Sequence, residues 1–155
     1  MKKVIALSVC LAITSSAFAG IDSKKAAYRG GTVMSLHSNQ EAVFVLDRPD
    51  GVHFATLVIP FDKVQSIEYG QKAGRRVGAA IATAVLVSPV GLFLLFSKKR
   101  KHMVSLTWTN PEGKIDAGVF ELGKDAIRPA LKILEAKSGK QIDYESEDAR
   151  ANIGK

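Results

Sequence analysis

The residue types that most often bind metals or carry catalysis are few and scattered in this sequence of 155 residues. His37, His53 and His102 fall on different predicted elements and lack metal-ligand spacing, which is typical of structural or exposed histidines. The acidic stretch from Asp143 to Asp148 lacks the spaced ligands and the turn glycine of a calcium loop. We therefore expect no metal site and no cofactor.

Two further sequences resemble catalytic or phosphate-binding motifs but are incomplete. Ser88 precedes Pro89 and does not lie in the Gly-x-Ser-x-Gly turn of a hydrolase. The stretch Gly70 to Gly78 (GQKAGRRVG) lacks the Gly-Lys-Ser/Thr end of a phosphate-binding loop. We therefore predict no catalytic residues and no enzymatic activity.

The positive charge of the chain is concentrated in one segment. The formal net charge is +7, and residues 72 to 101 contain seven lysines and arginines with no acidic residue. Residues 1 to 19 add +2, which leaves −2 for the remainder. A local basic cluster beside an apolar stretch favours an anionic lipid surface over nucleic acid. The alternative is that these basic residues are only the solvated flanks of a buried helix.

The basic cluster surrounds an apolar run of twenty residues, Val77 to Phe96, which contains no charge. That length is about what a helix needs to cross a bilayer. The run nevertheless lies between two predicted strands of one β-domain, which a single crossing would separate. Ser88 to Gly91 (SPVG) favours a turn, and eleven helical residues before it would reach about 16 Å, roughly half the hydrocarbon core. The pattern predicts an apolar hairpin that dips into a membrane.

Three alternatives to this membrane hairpin remain open. The hairpin packs on its own barrel or on a partner in a soluble periplasmic-type protein, or the run spans the membrane once. Its first arm is rich in Gly, Ala and Thr, which also favours a homo-oligomer. The candidate membrane-binding or partner-binding residues are Arg75, Arg76, Val77, Leu92, Phe93, Leu94, Leu95, Phe96, Lys98, Lys99, Arg100 and Lys101.

The N-terminus has the three parts of a secretory signal peptide. Lys2 and Lys3 give a positive start, Val4 to Thr14 is a short apolar core, and Ala17 to Ala19 (AFA) is a cleavage pattern. We predict cleavage after Ala19 and export to the periplasm or cell envelope. An uncleaved anchor is the alternative. Cleavage would remove Cys10, the only cysteine, so we expect no disulfide in the mature chain.

The rest of the sequence predicts short strands followed by one helix. Turn residues and period-two alternation predict six strands, at Thr32 to His37, Ala42 to Asp47, Val52 to Ile59, Val64 to Tyr69, Met103 to Thr109 and Ile115 to Leu122. Ile127, Ala130, Leu131 and Leu134 form a helical apolar stripe, with Asp125 as a candidate N-cap. We expect a mainly β fold. It would be a small, partly open barrel of about six antiparallel strands with a C-terminal helix and an apolar helical insertion between strands 4 and 5.

The stretch Val58 to Gly70 (VIPFDKVQSIEYG) resembles the Ile-Pro-Tyr-x-x-Ile-x-Ser-Ile-Glu segment of bacterial pleckstrin-homology-like and GRAM-like domains. Leu134 to Ile142 is similar to the end of the closing helix in such domains. The chain also resembles a group of exported bacterial proteins that share a frame at Gly70 to Val77 and Ser97 to His102 around an apolar insertion. The resemblance covers about residues 30 to 142. It implies a helix-capped, partly open barrel that binds lipids or proteins without catalysis.

These expectations divide the chain into a signal peptide (1–19), a linker (20–29), a pleckstrin-homology-like β-domain (30–142) with the insertion 77–96, and a polar tail (143–155). The expected function is a non-catalytic, exported, membrane-associated binding or scaffold module. Its expected partner is an anionic membrane surface, with a protein partner or a second copy as alternatives. We expect no nucleic-acid partner and identify no small-molecule substrate.

Overall fold

The computed structural model describes residues 23–71 and 101–155, in which eight strands form one open, mixed sheet. The strands are β1 (Ser23–Gly31), β2 (Glu41–Val45), β3 (Val52–Phe54), β4 (Leu57–Ile59), β5 (Val64–Gly70), β6 (His102–Thr109), β7 (Ile115–Leu122) and β8 (Ile142–Tyr144). Their order is β4-β3-β2-β1-β7-β6-β5-β8, and only the β5–β8 pair is parallel. Two helices, α1 (Lys124–Ser138) and α2 (Glu147–Ala151), follow β7 and β8.

The expected six-stranded, partly open barrel is wrong, because the described residues form an eight-stranded open sheet. The expected signal peptide (1–19) and the expected apolar helical insertion (77–96) lie outside the described residues. Thr32 to His37, the expected first strand, is a loop, and β1 instead includes residues 23 to 29 of the expected linker. Val52 to Ile59 forms two strands because Ala55 adopts a left-handed φ of 51° and turns the chain. The expected polar tail contributes part of β8 and all of α2.

Long-range pairing explains the additional strands. β1 pairs with β2 on one side and with β7 on the other, so both of its backbone edges are satisfied. β8 pairs with β5 through Ile142, which lies opposite Ile67. Register shifts interrupt the ladders in β1, between Tyr28 and Gly30, and in β5, between Val64 and Ser66.

A buried hydrophobic cluster joins α1 to the sheet. Leu131 and Leu134 of α1 share one buried cluster with Val104, Leu106 and Trp108 of β6. The cluster also contains a group of aromatic rings centred on Phe120, whose ring centroid lies 5.1 Å from that of Phe44, 5.2 Å from that of Phe54 and 5.7 Å from that of Tyr28. The core therefore lies between α1 and one face of the sheet.

Polar contacts hold α1 on the core at both ends. Near its C-terminus, the Lys137 ammonium donates hydrogen bonds to the carbonyl oxygens of Leu46 (2.6 Å) and Arg48 (3.0 Å). In its N-terminal half, the Arg128 guanidinium donates to the Ile153 carbonyl at 2.8 Å. The helix begins after Gly123 and not at Asp125, and it ends at Gly139, whose φ of 68° is left-handed as a C-terminal glycine stop requires.

Candidate functional site

The chain enters and leaves the described regions at one end of the sheet. Ala26 of β1 lies opposite Leu122 of β7, which in turn lies opposite His102 of β6. β1 begins at Ser23, three residues before Ala26 in this row. Gln71 directly follows β5, and Lys101 directly precedes His102 at the start of β6, so both also lie next to the row. The points where residues 1–22 and 72–100 join the described structure therefore lie at the same end, which we call the junction end.

The two attachment points of residues 72–100 are in direct contact. The backbone N–H of Lys101 donates a hydrogen bond to the carbonyl oxygen of Gln71 at 3.3 Å, as a continuation of the antiparallel β5–β6 ladder. The Gln71 side chain is itself fixed, because its amide donates to the carbonyl of Asn152 at 2.8 Å, just after α2. The 29 residues from 72 to 100 thus leave and rejoin the sheet at one point.

Lys101 is the only one of the twelve candidate binding residues that lies in the described regions. Its ammonium pairs with the Glu121 carboxylate at 3.0 Å, and the same carboxylate accepts a 2.6 Å hydrogen bond from Nε of Arg29. The Lys101 and Glu121 side chains are only 29 % and 21 % exposed. Lys101 therefore has an internal partner on the sheet, and the other eleven candidates lie outside the described residues.

A buried polar pair supports the junction end from inside. The Tyr69 hydroxyl lies 2.7 Å from Nδ1 of His102, and both residues are at most 5 % exposed. Burial lowers the pKa of His102 and raises the pKa of Tyr69, so both groups are neutral at pH 7. The hydroxyl and Nδ1 share one hydrogen bond, whose donor depends on the histidine tautomer, and the ring of Tyr144 packs edge-on against Tyr69. The contact positions the start of β6 and supplies no nucleophile.

The other two histidines lie apart from this pair. Nε2 of His53 lies 3.0 Å from each carboxylate oxygen of Asp50, and this hydrogen bond lowers the pKa of Asp50. His37 is exposed in the loop between β1 and β2. Across the described part of the chain, no group of three His, Cys, Asp or Glu side chains could hold a metal ion.

The described residues and residues 72–100 differ sharply in formal net charge. Residues 23–71 and 101–155 together contain fourteen basic and fourteen acidic residues, so their formal net charge is zero. Residues 72–100 contain six basic residues and no acidic residue. The excess positive charge of residues 72–100 is therefore attached to the junction end of a sheet whose own net charge is zero.

Comparison of the chain with family models, with curated proteins and with solved structures finds no match in any of the three. Within residues 23–71 and 101–155, no helix combines the length and the apolar character that crossing a membrane requires.

Proposed function

We propose that this chain is an exported, non-catalytic binding module that associates with an anionic membrane surface through its junction end. The observation that carries the proposal is the contact between Gln71 and Lys101, which places both ends of the basic and apolar segment at one point of the sheet. The resemblance of Val58 to Gly70 to lipid-binding and protein-binding domains also favours binding over catalysis.

The antiparallel pairing of β5 and β6 determines how residues 72–100 could meet a bilayer. A single crossing by Val77 to Phe96 would place the two paired strands on opposite sides of the membrane, so pairing favours a segment that enters and returns on one side. Both basic groups would then lie at the same surface. Each basic residue near an anionic surface contributes about 1 kcal/mol, and the apolar residues add the free energy of leaving water.

A second candidate function is a soluble periplasmic-type interaction module. In this alternative, Val77 to Phe96 packs against the protein's own sheet or against a protein partner and does not enter lipid. The burial of Met103 and Val119, each 3 % exposed on the face opposite α1, favours this candidate. A homo-oligomer is a further form of the same candidate.

Vesicle binding by two matched charge variants tests the proposal. Lys98→Gln/Lys99→Gln removes two charges beside the junction end. Lys63→Gln/Lys114→Gln removes two exposed charges at the opposite end, where β5 begins and β6 turns into β7. At about 1 kcal/mol per charge, the first variant should bind anionic vesicles about 30-fold more weakly. The second should stay within about twofold, and the difference should shrink in high salt.

Three results would contradict the proposal. The two variants could lose equal affinity, which would indicate general charge attraction without a preferred end. The unmodified chain could fail to sediment with anionic vesicles. The native protein could also be fully released from membranes by alkaline carbonate, which would favour the soluble candidate.

A further inference from the structure

Three charged side chains form one cluster on the face of the sheet opposite α1. Glu121 of β7 lies opposite both Ala27 of β1 and Met103 of β6, and its carboxylate contacts a cation on each side. Nε of Arg29 donates a hydrogen bond to Oε2 of this carboxylate at 2.6 Å, and the Lys101 ammonium lies 3.0 Å from the same oxygen. The cluster therefore joins β1, β7 and the residue that precedes β6.

The two cations present more donors than one carboxylate oxygen can accept. Nη2 of Arg29 also contacts Oε2 of Glu121, so three nitrogen donors converge on a single oxygen. A carboxylate oxygen has about two lone pairs, whereas the free oxygens of a phosphate group offer acceptor sites at separate positions. The planar fork of a guanidinium binds two phosphate oxygens in parallel, and an ammonium adds a point charge beside them. This arrangement of donors therefore suits a phosphate group better than it suits Glu121.

We propose that Arg29 and Lys101 form a binding site for the phosphate group of an anionic lipid, and that Glu121 occupies this site when no membrane is present. The position of the cluster favours this ligand. Glu121 is one residue from Leu122, which belongs to the row of paired residues at the junction end, and Lys101 lies next to the same row. The inference rests on the proposed function, in which the junction end faces the lipid phosphates.

Partial exposure of the cluster allows a phosphate to replace the carboxylate. The side chains of Arg29, Glu121 and Lys101 are 19 %, 21 % and 29 % exposed, so an anion can reach them from water. Ion pairs that remain in contact with water contribute little to stability, because solvent screens the attraction. The Glu121 carboxylate can therefore leave the two cations at low cost and regain its hydration. A lipid phosphate then accepts charge-assisted hydrogen bonds from the same donors.

Contacts other than Glu121 hold both cations in place. Nη1 of the Arg29 guanidinium donates a hydrogen bond to Oδ1 of Asn39, in the loop between β1 and β2. Lys101 is fixed through its backbone, because its N–H donates to the Gln71 carbonyl at 3.3 Å. Both cations therefore stay near their observed positions when the carboxylate leaves. A site that is organised before binding loses little conformational entropy when the ligand arrives.

Because Glu121 competes with the lipid phosphate, its replacement should strengthen binding. Glu121→Gln in the full chain should bind phosphatidylglycerol vesicles at least about fivefold more tightly, since each released basic residue contributes about that factor. Glu41→Gln is the matched control, because Glu41 lies in the same row, opposite Ala27, is exposed and takes no part in the ion pairs of Arg29 and Lys101. This control should change the affinity less than about twofold at physiological salt. Equal gains in the two variants would overturn the inference.

A double-mutant cycle tests whether the gain passes through Lys101. Glu121→Gln introduced into the Lys101→Gln variant should strengthen binding by less than about half the factor seen in the unmodified chain, because one of the two released cations is then missing. An undiminished gain would overturn the assignment of Lys101 to the site. Glutamine at position 121 keeps an amide oxygen as an acceptor for Arg29, and the urea midpoint of each variant checks that it folds.

The Nε–Hε NMR resonance of Arg29 provides a measurement on the unmodified full chain. It should shift when bicelles that contain phosphatidylglycerol are added, and it should not shift with phosphatidylcholine bicelles. Binding of the anionic bicelles without this shift would overturn the inference and leave the proposed function intact. If the anionic bicelles do not bind, the proposed function fails, and titration with inorganic phosphate at constant ionic strength decides the inference. A saturable shift would then support the site with a soluble phosphate compound as its ligand, and no shift would overturn it.

Discussion

Leu131 is the side chain whose truncation should reveal how firmly α1 is held on the core. It is 2 % exposed and packs in the cluster shared by α1 and the sheet. Replacing a buried leucine by alanine costs about 2–5 kcal/mol, and the cost rises when the surroundings cannot move into the cavity. Contacts from Lys137 to the Leu46 and Arg48 carbonyls, and from Arg128, hold the helix on both sides of the site. We therefore expect Leu131→Ala to lower the free energy of unfolding by about 3–5 kcal/mol.

Urea unfolding measures this loss directly. With an m-value of about 1.5 kcal/mol/M, the midpoint should fall by about 2–3 M without a change in slope. Lys132→Ala is the matched control, because Lys132 is the next residue and is exposed, and it should change stability by less than about 0.5 kcal/mol. If both variants shift the midpoint equally, α1 does not pack on the sheet as described.

Three further changes should affect stability in predictable directions. Ala55→Gly should raise the urea midpoint by the equivalent of about 0.5–1 kcal/mol, because the φ of 51° strains an alanine; a lower midpoint would contradict this. Gly31→Ala should cost at least about 2 kcal/mol in the same assay, because φ is +152° and the new Cβ would lie 2.1 Å from the Ala117 carbonyl oxygen; a neutral result would contradict the β1–β7 register. His102 has a lowered pKa in the folded state, so the unfolded chain binds more protons as the pH falls below about 6.5, and stability should fall with it. His102→Asn, which keeps an acceptor for Tyr69, should reduce the difference in unfolding free energy between pH 7 and pH 5, and an unchanged difference would exclude His102 as its source.

The elements that sequence patterns predicted well have strong local signals. Alternation in β6 separates Val104 and Leu106 from Ser105, and the structure places the two sets on opposite faces. The apolar stripe of α1 and its glycine stop are equally local features. In each case the sequence itself contains the period or the turn residue that determines the element.

The elements that were missed depend on distant partners or lack turn signals. β1 contains Lys24 to Ala27, which have low strand propensity, and it is a strand because β2 and β7 pair with both of its edges. The turn at Ala55 has no glycine, asparagine or proline to indicate it. For α2 a usable signal was present, because Ser146 accepts a hydrogen bond from the Ala149 amide as an N-cap followed by acidic residues.

The candidate site was predictable in part. The basic and apolar composition of residues 72–100 is visible in the sequence, and so is their position between two strands. The ion pair between Lys101 and Glu121 could not be predicted from the sequence, because the two residues are twenty positions apart. The burial of β7 on both faces had a signal in the sequence, because Ala117 to Phe120 (AGVF) is apolar without alternation, as in strands that are buried on both faces.

The position of residues 72–100 within the fold carries a free-energy cost that their apolar residues can offset. Neighbouring antiparallel strands such as β5 and β6 can be joined by two residues, whereas this connection has 29. The longer closure costs about 2 kcal/mol in chain entropy. Twenty uncharged residues from Val77 to Phe96 would add an aggregation risk if they were left in water. Burial of a few of these side chains, at about 1.5–3 kcal/mol each, exceeds the closure cost. Under the proposed function a bilayer at the junction end would provide that burial, since both attachment points of the segment lie there.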